Sequence, residues 1–328
     1  MNAAGKKEEK NLRYGVIGVG SVGLTIAAHL AQAGHPVSIF CRKERVRDNL
    51  KDYPVAVSGE LTAEADMTKV NVDIDRFLAT RPDVIMLCVK GYASPGLLSD
   101  LEQAGMSRDT VIVCCQNGID VEHQAVRVFG KDRTMRMVLN LGCSLEDTNN
   151  VVVHFAMTHY LSPVLDGESK LADTIAEHLS VSGFETEVRE DYRTLAFKKA
   201  ILNVALGAPS SLTRMTMSEV MREPGLYSMA AALIREGIEV GQALGLDIEW
   251  EYLNEAMAYL SKGGHHKPSI LVDIEEGRRT ENEYHCGNLL RYAKDLNIEV
   301  SVVDTTYCLI KALEKKVRRA RLRDIVTS

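Results

Sequence analysis

The chain has 328 residues, 45% hydrophobic and 26% charged, a balance that suits two packed domains and excludes wholesale disorder. A formal net charge of -6 gives no basic footprint for nucleic acid. No apolar run nears the roughly 20 residues that a membrane helix needs.

Residues 1–10 are polar, lack the apolar core of a signal peptide, and predict a flexible tail. Apolar runs at 14–18 and 37–41 flank a helical stretch at 21–33 that closes at Gly34. Further strand-like runs follow at 84–89, 111–115, 135–141, 151–155 and 184–188, with a helix near 169–179. Strands alternating with helices predict a doubly wound parallel α/β sheet. From 191 onward the period is helical, over 192–206, 227–244, 251–260, 270–276, 281–296 and 303–321. The expected organisation is a Rossmann-type α/β domain over 11–189 and an all-helical domain over 190–328.

Seven cysteines, at 41, 88, 114, 115, 143, 286 and 308, include no CxxC pair and fall mostly inside apolar runs. They predict buried free thiols in a reducing compartment, and therefore a cytoplasmic protein. His265-His266 has no partner at a convincing ligand spacing, so no metal is expected. The basic stretch 311–323 keeps apolar positions at helical spacing, which predicts a packed terminal helix with a solvated basic face.

Gly18-Val19-Gly20-Ser21-Val22-Gly23 fits G-x-G-x-x-G after a strand and at the start of a helix, the context of the Rossmann fingerprint. The first glycine allows a tight turn, the second lets pyrophosphate approach the backbone, and the third lets helix and strand pack closely. An NAD site usually carries an acid about 20 residues later. This strand instead ends in Cys41-Arg42-Lys43, with no acid before Glu44. Arg42 can bind a 2′-phosphate bidentately, so NADP(H) is the expected cofactor. Val89-Lys90 and Gln116-Asn117-Gly118 follow two further strands, where ligands gather. On spacing alone, Asn117-Gly118 serves equally well as a plain turn.

Lys199 and Asn203 lie four apart, on one helix face, and suit polarising and protonating a carbonyl oxygen. Ser269-Ile270-Leu271-Val272-Asp273 and Thr280-Glu281-Asn282-Glu283 come later. Thr280 with Glu283 fits a capping box.

In the order and spacing of these motifs the chain resembles the ketopantoate reductase (2-dehydropantoate 2-reductase) family over nearly its whole length. The resemblance implies NADPH-dependent reduction of a 2-oxo acid to the 2-hydroxy acid, ketopantoate to pantoate in pantothenate biosynthesis. It implies Lys199 as proton donor, with Glu281 as the carboxylate that keeps it charged, and Asn203, Ser269 and Asn117 as substrate ligands. Gly18, Gly20, Ser21, Val22, Gly23, Arg42, Lys90, Asn117 and Glu281 would line the cofactor site. The partner is then a small 2-oxo acid, with a homodimer allowed and neither nucleic acid nor membrane involved. The pattern departs at Gly207-Ala208-Pro209, near Met217, and at His266, where the family has amides; His266 would line the substrate instead. Since such amides fix specificity, the alternatives are a reductase of a different 2-oxo acid or a non-catalytic NADPH-binding redox sensor.

Overall fold

The structure, a computed structural model, describes residues 11–262, 264–265 and 267–327. The tail expected at 1–10 and the substrate role expected of His266 lie outside the described residues. The chain forms two compact units. One comprises 11–89, Ala93–Gln116 and Glu122–Glu190; the other comprises Lys90–Tyr92, Asn117–Val121 and the chain from Asp191.

The first unit is a Rossmann-like α/β domain. From one edge, its main sheet runs Val70–Asn71, Val37–Phe40, Tyr14–Ile17, Val84–Leu87, Val111–Cys114, Thr134–Val138, His159–Pro163 and Thr186–Val188. The first six are mutually parallel and take the 3-2-1-4-5-6 order of a dinucleotide-binding sheet. Side-chain alternation explains why both faces are covered. Tyr14 and Val16, with Val84, Met86, Val111 and Val113, pack under the helices Ser21–Gln32 and Lys170–Val181. Ile17, Ile85, Leu87, Ile112 and Cys114 point to the other face, against Phe77, Leu97, Leu98, Leu101 and Phe129.

The sheet is mixed rather than wholly parallel. His159–Pro163 runs antiparallel to Thr134–Val138, and Thr186–Val188 runs parallel to His159–Pro163. The cause is the connection: the chain between the antiparallel pair is a hairpin of Leu141–Leu145 and Asn150–Ala156, with no crossover helix to restore a parallel course. The expected single strand at 135–141 therefore divides. With Val55–Gly59 and Ala63–Ala65 the hairpin forms a second, four-stranded sheet that the pattern of residues did not reveal. It packs on the helix Ser21–Gln32, where the Ser21 hydroxyl donates to the Cys143 carbonyl at 3.2 Å.

The second unit is helical, with the 22-residue helix Tyr192–Thr213 in its core. That helix runs past the expected end at 206 and takes Pro209 into its interior, ahead of its last turn. Around it stand Met217–Arg222, Pro224–Ala243, Tyr252–Ser261, Ser269–Glu275, Cys286–Asp295 and Ser301–Thr327. The helix expected over 281–296 is broken. Asn282–Tyr284 is a 3-10 turn, and His285, at φ -107 and ψ -94, separates it from Cys286–Asp295. Thr280 and Glu283 form no capping box. Thr280 donates from both its amide and hydroxyl to Glu314 Oε2, at 3.0 and 2.6 Å, while Glu283 accepts from Tyr307. The capping box in this unit belongs to Thr216 and Glu219.

All seven cysteines are free; Cys308 is exposed, against expectation, and Cys88 and Cys143 are half-buried. No described helix is long and apolar enough to cross a membrane.

Candidate active site

In the first unit the fingerprint loop joins Tyr14–Ile17 to the helix Ser21–Gln32. Gly18 has φ +111, and a Cβ there would come within 2.7 Å of the Cys88 backbone, so only glycine fits. A Cβ on Gly23 would collide with the Gly18 carbonyl oxygen and come within 3.2 Å of Cys88 Cβ. Gly20 differs: it is exposed, and a Cβ there would meet nothing within 4 Å. That open floor is a surface a pyrophosphate can approach. The helix behind it has no side-chain cap and no acid in its first turn, so the amides around Ser21 and Val22 face a ligand without competition. The residues present therefore fit a dinucleotide.

Arg42 is exposed beyond the strand Val37–Phe40 and has no hydrogen bond or ion pair among the described residues. Its neighbour Arg47 is held by Asp48 at 2.7 Å, with Glu44 at 3.9 Å, so the nearest acids serve Arg47. At another strand end, buried Arg136 donates to the Cys114 and Gln116 carbonyls at 3.1 and 2.5 Å, and Gln116 Nε2 donates to Ser94. These bonds fix the backbone that leads into Asn117.

Lys90 and Asn117 follow strands of the first unit yet group with the second. Lys90 Nζ lies 2.7 Å from Asp273 Oδ2 and 3.3 Å from Glu281 Oε2. The other Glu281 oxygen accepts the Gly91 amide at 2.9 Å, and the other Asp273 oxygen accepts Arg278 Nε at 2.9 Å. Both carboxylates are buried, at 1% and 7% exposure, which a charge tolerates only when paired. Burial disfavours the charge on Lys90, but Glu281 and Asp273 outweigh it and its pKa lies above the ordinary lysine range. Sequence reasoning had set Glu281 beside Lys199; the cation it holds here is Lys90. It also gave Asp273 no role, since the partner sits 183 residues away and no local pattern could disclose it.

The second segment, Asn117–Val121, is bound in the same way. The Ile119 amide donates to the Tyr284 carbonyl at 2.8 Å, and Asn288 Nδ2 donates to the Ile119 carbonyl at 2.7 Å. Asp120 accepts from Arg291 and from the Tyr292 hydroxyl. Burial, then the Asp120 carboxylate, push that phenol up to about 12. Gly118 has φ +118, and a Cβ there would meet Tyr284 Cβ at 2.7 Å. Asn117 itself is half-buried.

Lys199 and Asn203 are half-buried on one face of Tyr192–Thr213. Gly207, one turn further on, is covered by Ile270: a Cβ at 207 would meet Ile270 Cγ2 at 2.6 Å. That contact sets the start of Ser269–Glu275 against the helix of Lys199 and Asn203. Ser269 is exposed at that start and shares a face with Asp273 four residues on. The Lys198 ammonium lies 5.2 Å from the Tyr252 ring, whose hydroxyl donates to the Lys198 carbonyl.

Comparison with known proteins identifies the family. Residues 14–164 match the family model described as ketopantoate reductase PanE/ApbA, and residues 191–314 match the model of its C-terminal part. The 2-dehydropantoate 2-reductase of Pyrococcus horikoshii is 24% identical over 299 residues, covering 91% of this chain and 96% of the relative. A solved 2-dehydropantoate 2-reductase from Geobacter metallireducens superposes with a TM-score of 0.85 at 20% identity, covering 92% of this chain and 99% of that one. A D-mandelate dehydrogenase solved with NADH and anilino(oxo)acetate superposes at 0.82 with 20% identity, covering 93% and 99%. The chain belongs to the ketopantoate reductase PanE/ApbA family of nicotinamide-dependent oxidoreductases.

Proposed function

We propose that the chain reduces the carbonyl of a 2-oxo acid to the hydroxyl with NADPH, in the manner of a 2-dehydropantoate 2-reductase. The observation that carries this reading is Lys199 and Asn203, half-buried on one face of the core helix, with Ser269 opening the helix packed beside them. Bound at Gly18, Gly20, Ser21, Val22 and Gly23, the dinucleotide supplies a hydride for the carbonyl carbon. Lys199 gives a proton to the carbonyl oxygen as negative charge develops there; an ammonium only donates, which suits that task. Asn203 and Ser269 hold the acid by hydrogen bonds, and Asn117 orients the reacting end. Lys90, kept cationic by Asp273 and Glu281, lines the cofactor side. Arg42 binds the 2′-phosphate.

A specific observation favours a second substrate over ketopantoate. Ile270 Cγ2 occupies the space over Gly207, so no side-chain amide can stand there without displacing it. An apolar side chain in place of an amide beside Asn203 and Ser269 suits a 2-oxo acid with an apolar substituent.

The test is NADPH oxidation across a panel of 2-oxo acids that includes 2-dehydropantoate and phenylglyoxylate. With an accepted acid, Lys199→Ala lowers kcat by about 10²–10⁴-fold and leaves NADPH affinity nearly intact. Lys198→Ala is close to neutral in kcat, because its ammonium is engaged with Tyr252. Tight NADPH binding with no turnover on any acid would replace the reductase by the redox sensor.

A further inference from the structure

The carboxylates that hold Lys90 sit at the two ends of one short connection. Asp273 lies near the end of the helix Ser269–Glu275, and Glu281 lies just before the 3-10 turn Asn282–Tyr284. The chain between them, 276–280, belongs to no regular element, so its own backbone does not fix where Glu281 stands. The C-terminal helix Ser301–Thr327 grips it at both ends. Glu314 Oε2 accepts the Thr280 amide at 3.0 Å and the Thr280 hydroxyl at 2.6 Å. Its other oxygen faces Arg318 Nη1 at 3.4 Å, which fixes the carboxylate. At the far end, Arg321 donates to the Glu276 carbonyl and packs its stem on Gly277, where φ is +62. Glu314 and Arg321 are seven residues apart, two helical turns or about 10 Å of rise, enough to bracket five residues of folded-back chain.

The Thr280 hydroxyl also accepts the Asn282 amide at 3.3 Å, so Glu281 is held from the residue before it and the residue after it. The carboxylate thus fixed is the one that binds Lys90 and the Gly91 amide. Glu314 touches neither of these groups; it acts through Thr280.

We propose that Glu314 is a positioning residue for Glu281, so that the C-terminal helix sets the geometry of the Lys90 cluster and, through it, the rate of reduction. The proposal rests on the assignment of Lys90 and Glu281 to the active site. It gives this helix a use that its solvated basic face did not suggest: two of the arginines in that stretch serve the connection.

The experiment compares the full-length protein with Glu314→Ala, Glu314→Gln and Glu281→Ala. Lys90 reactivity is read by competitive acetylation and mass spectrometry, with NADPH affinity and NADPH oxidation measured beside it on 2-dehydropantoate and phenylglyoxylate. An amine that loses a carboxylate partner gives up its proton more easily. Glu314→Ala is therefore expected to raise Lys90 acetylation by at least about threefold, in the same direction as Glu281→Ala. Glu314→Gln keeps an acceptor oxygen for Thr280 and retains most of the parent behaviour. With an accepted acid, Glu314→Ala lowers kcat by about tenfold, and adds little on the Glu281→Ala background because the two act along one path. A purely structural Glu314 would lower the melting temperature alike in both backgrounds and leave Lys90 reactivity unmoved, which overturns the proposal. Unchanged activity and NADPH affinity in Glu281→Ala, with Lys90 still responding to Glu314→Ala, would instead sink the active-site assignment and leave the latch standing.

Discussion

The proposed preference for NADPH rests on a single side chain. Arg42 stands exposed at a strand end, and the acids nearby, Glu44 and Asp48, are turned to Arg47. A free guanidinium offers a forked pair of donors to a 2′-phosphate and gains far less from a neutral 2′-hydroxyl. Arg42→Ala should weaken NADPH binding by about 1–3 kcal/mol, the worth of a charge-assisted hydrogen bond, and leave NADH binding nearly unchanged. Fluorescence titration with both dinucleotides measures the difference. Equal losses for the two would make Arg42 a structural residue and remove the basis for preferring NADPH.

Among the elements, the strand–loop–helix of the fingerprint separates two glycine requirements that a motif treats alike. Gly23 is needed for folding, because a Cβ there runs into the Gly18 carbonyl; Gly20 has no such packing need, because a Cβ there touches no protein atom, and the proposed pyrophosphate site is what would require it. Gly23→Ala should therefore destabilise the first unit by about 1–3 kcal/mol, the usual cost of overpacking. Gly20→Val should fold normally and lose dinucleotide binding, since its side chain fills space that a pyrophosphate would enter. Thermal melts and calorimetric NADPH titrations of both variants make the comparison. Unchanged NADPH affinity in folded Gly20→Val would contradict the site assignment. In the helix Tyr192–Thr213, Pro209 ahead of the last turn does not stop the helix, because the surrounding residues are buried and their packing outweighs the lost hydrogen bond.

For the whole molecule, the helical unit is not a contiguous stretch of chain. Lys90–Tyr92 and Asn117–Val121 belong to it, joined by the bonds of Glu281 and Asp273 to Lys90, Glu281 to the Gly91 amide, Asn288 to the Ile119 carbonyl and Tyr292 to Asp120. A fragment of 191–328 keeps every helix but loses both segments, and buries two carboxylates without Lys90. Breaking a buried pair by removing one partner costs about 3–5 kcal/mol, less where water reaches the group left behind. The fragment should melt with low cooperativity by circular dichroism while the full chain melts sharply. A sharp transition in the fragment would show that the two segments contribute little to the helical unit.

The sequence by itself determined the Rossmann sheet, the glycine loop and the helical nature of the second unit. Each is written in a short repeating pattern: buried β-rich runs, a fingerprint of fixed spacing, and a 3.6-residue period. Lys199 with Asn203 was legible for the same reason, because four residues is about one helical turn. The tertiary structure decided the rest. The second sheet joins short strands far apart in the chain, and the helix expected at 281–296 breaks at His285, after a turn whose preceding residue, Thr280, is held by Glu314 of another helix. The expected pairing of Glu281 with Lys199 gives way to Lys90, through contacts that exist only once distant segments have packed. A salt bridge between groups 183 residues apart, such as Lys90 to Asp273, has no period and no spacing; it is set by where the backbone goes.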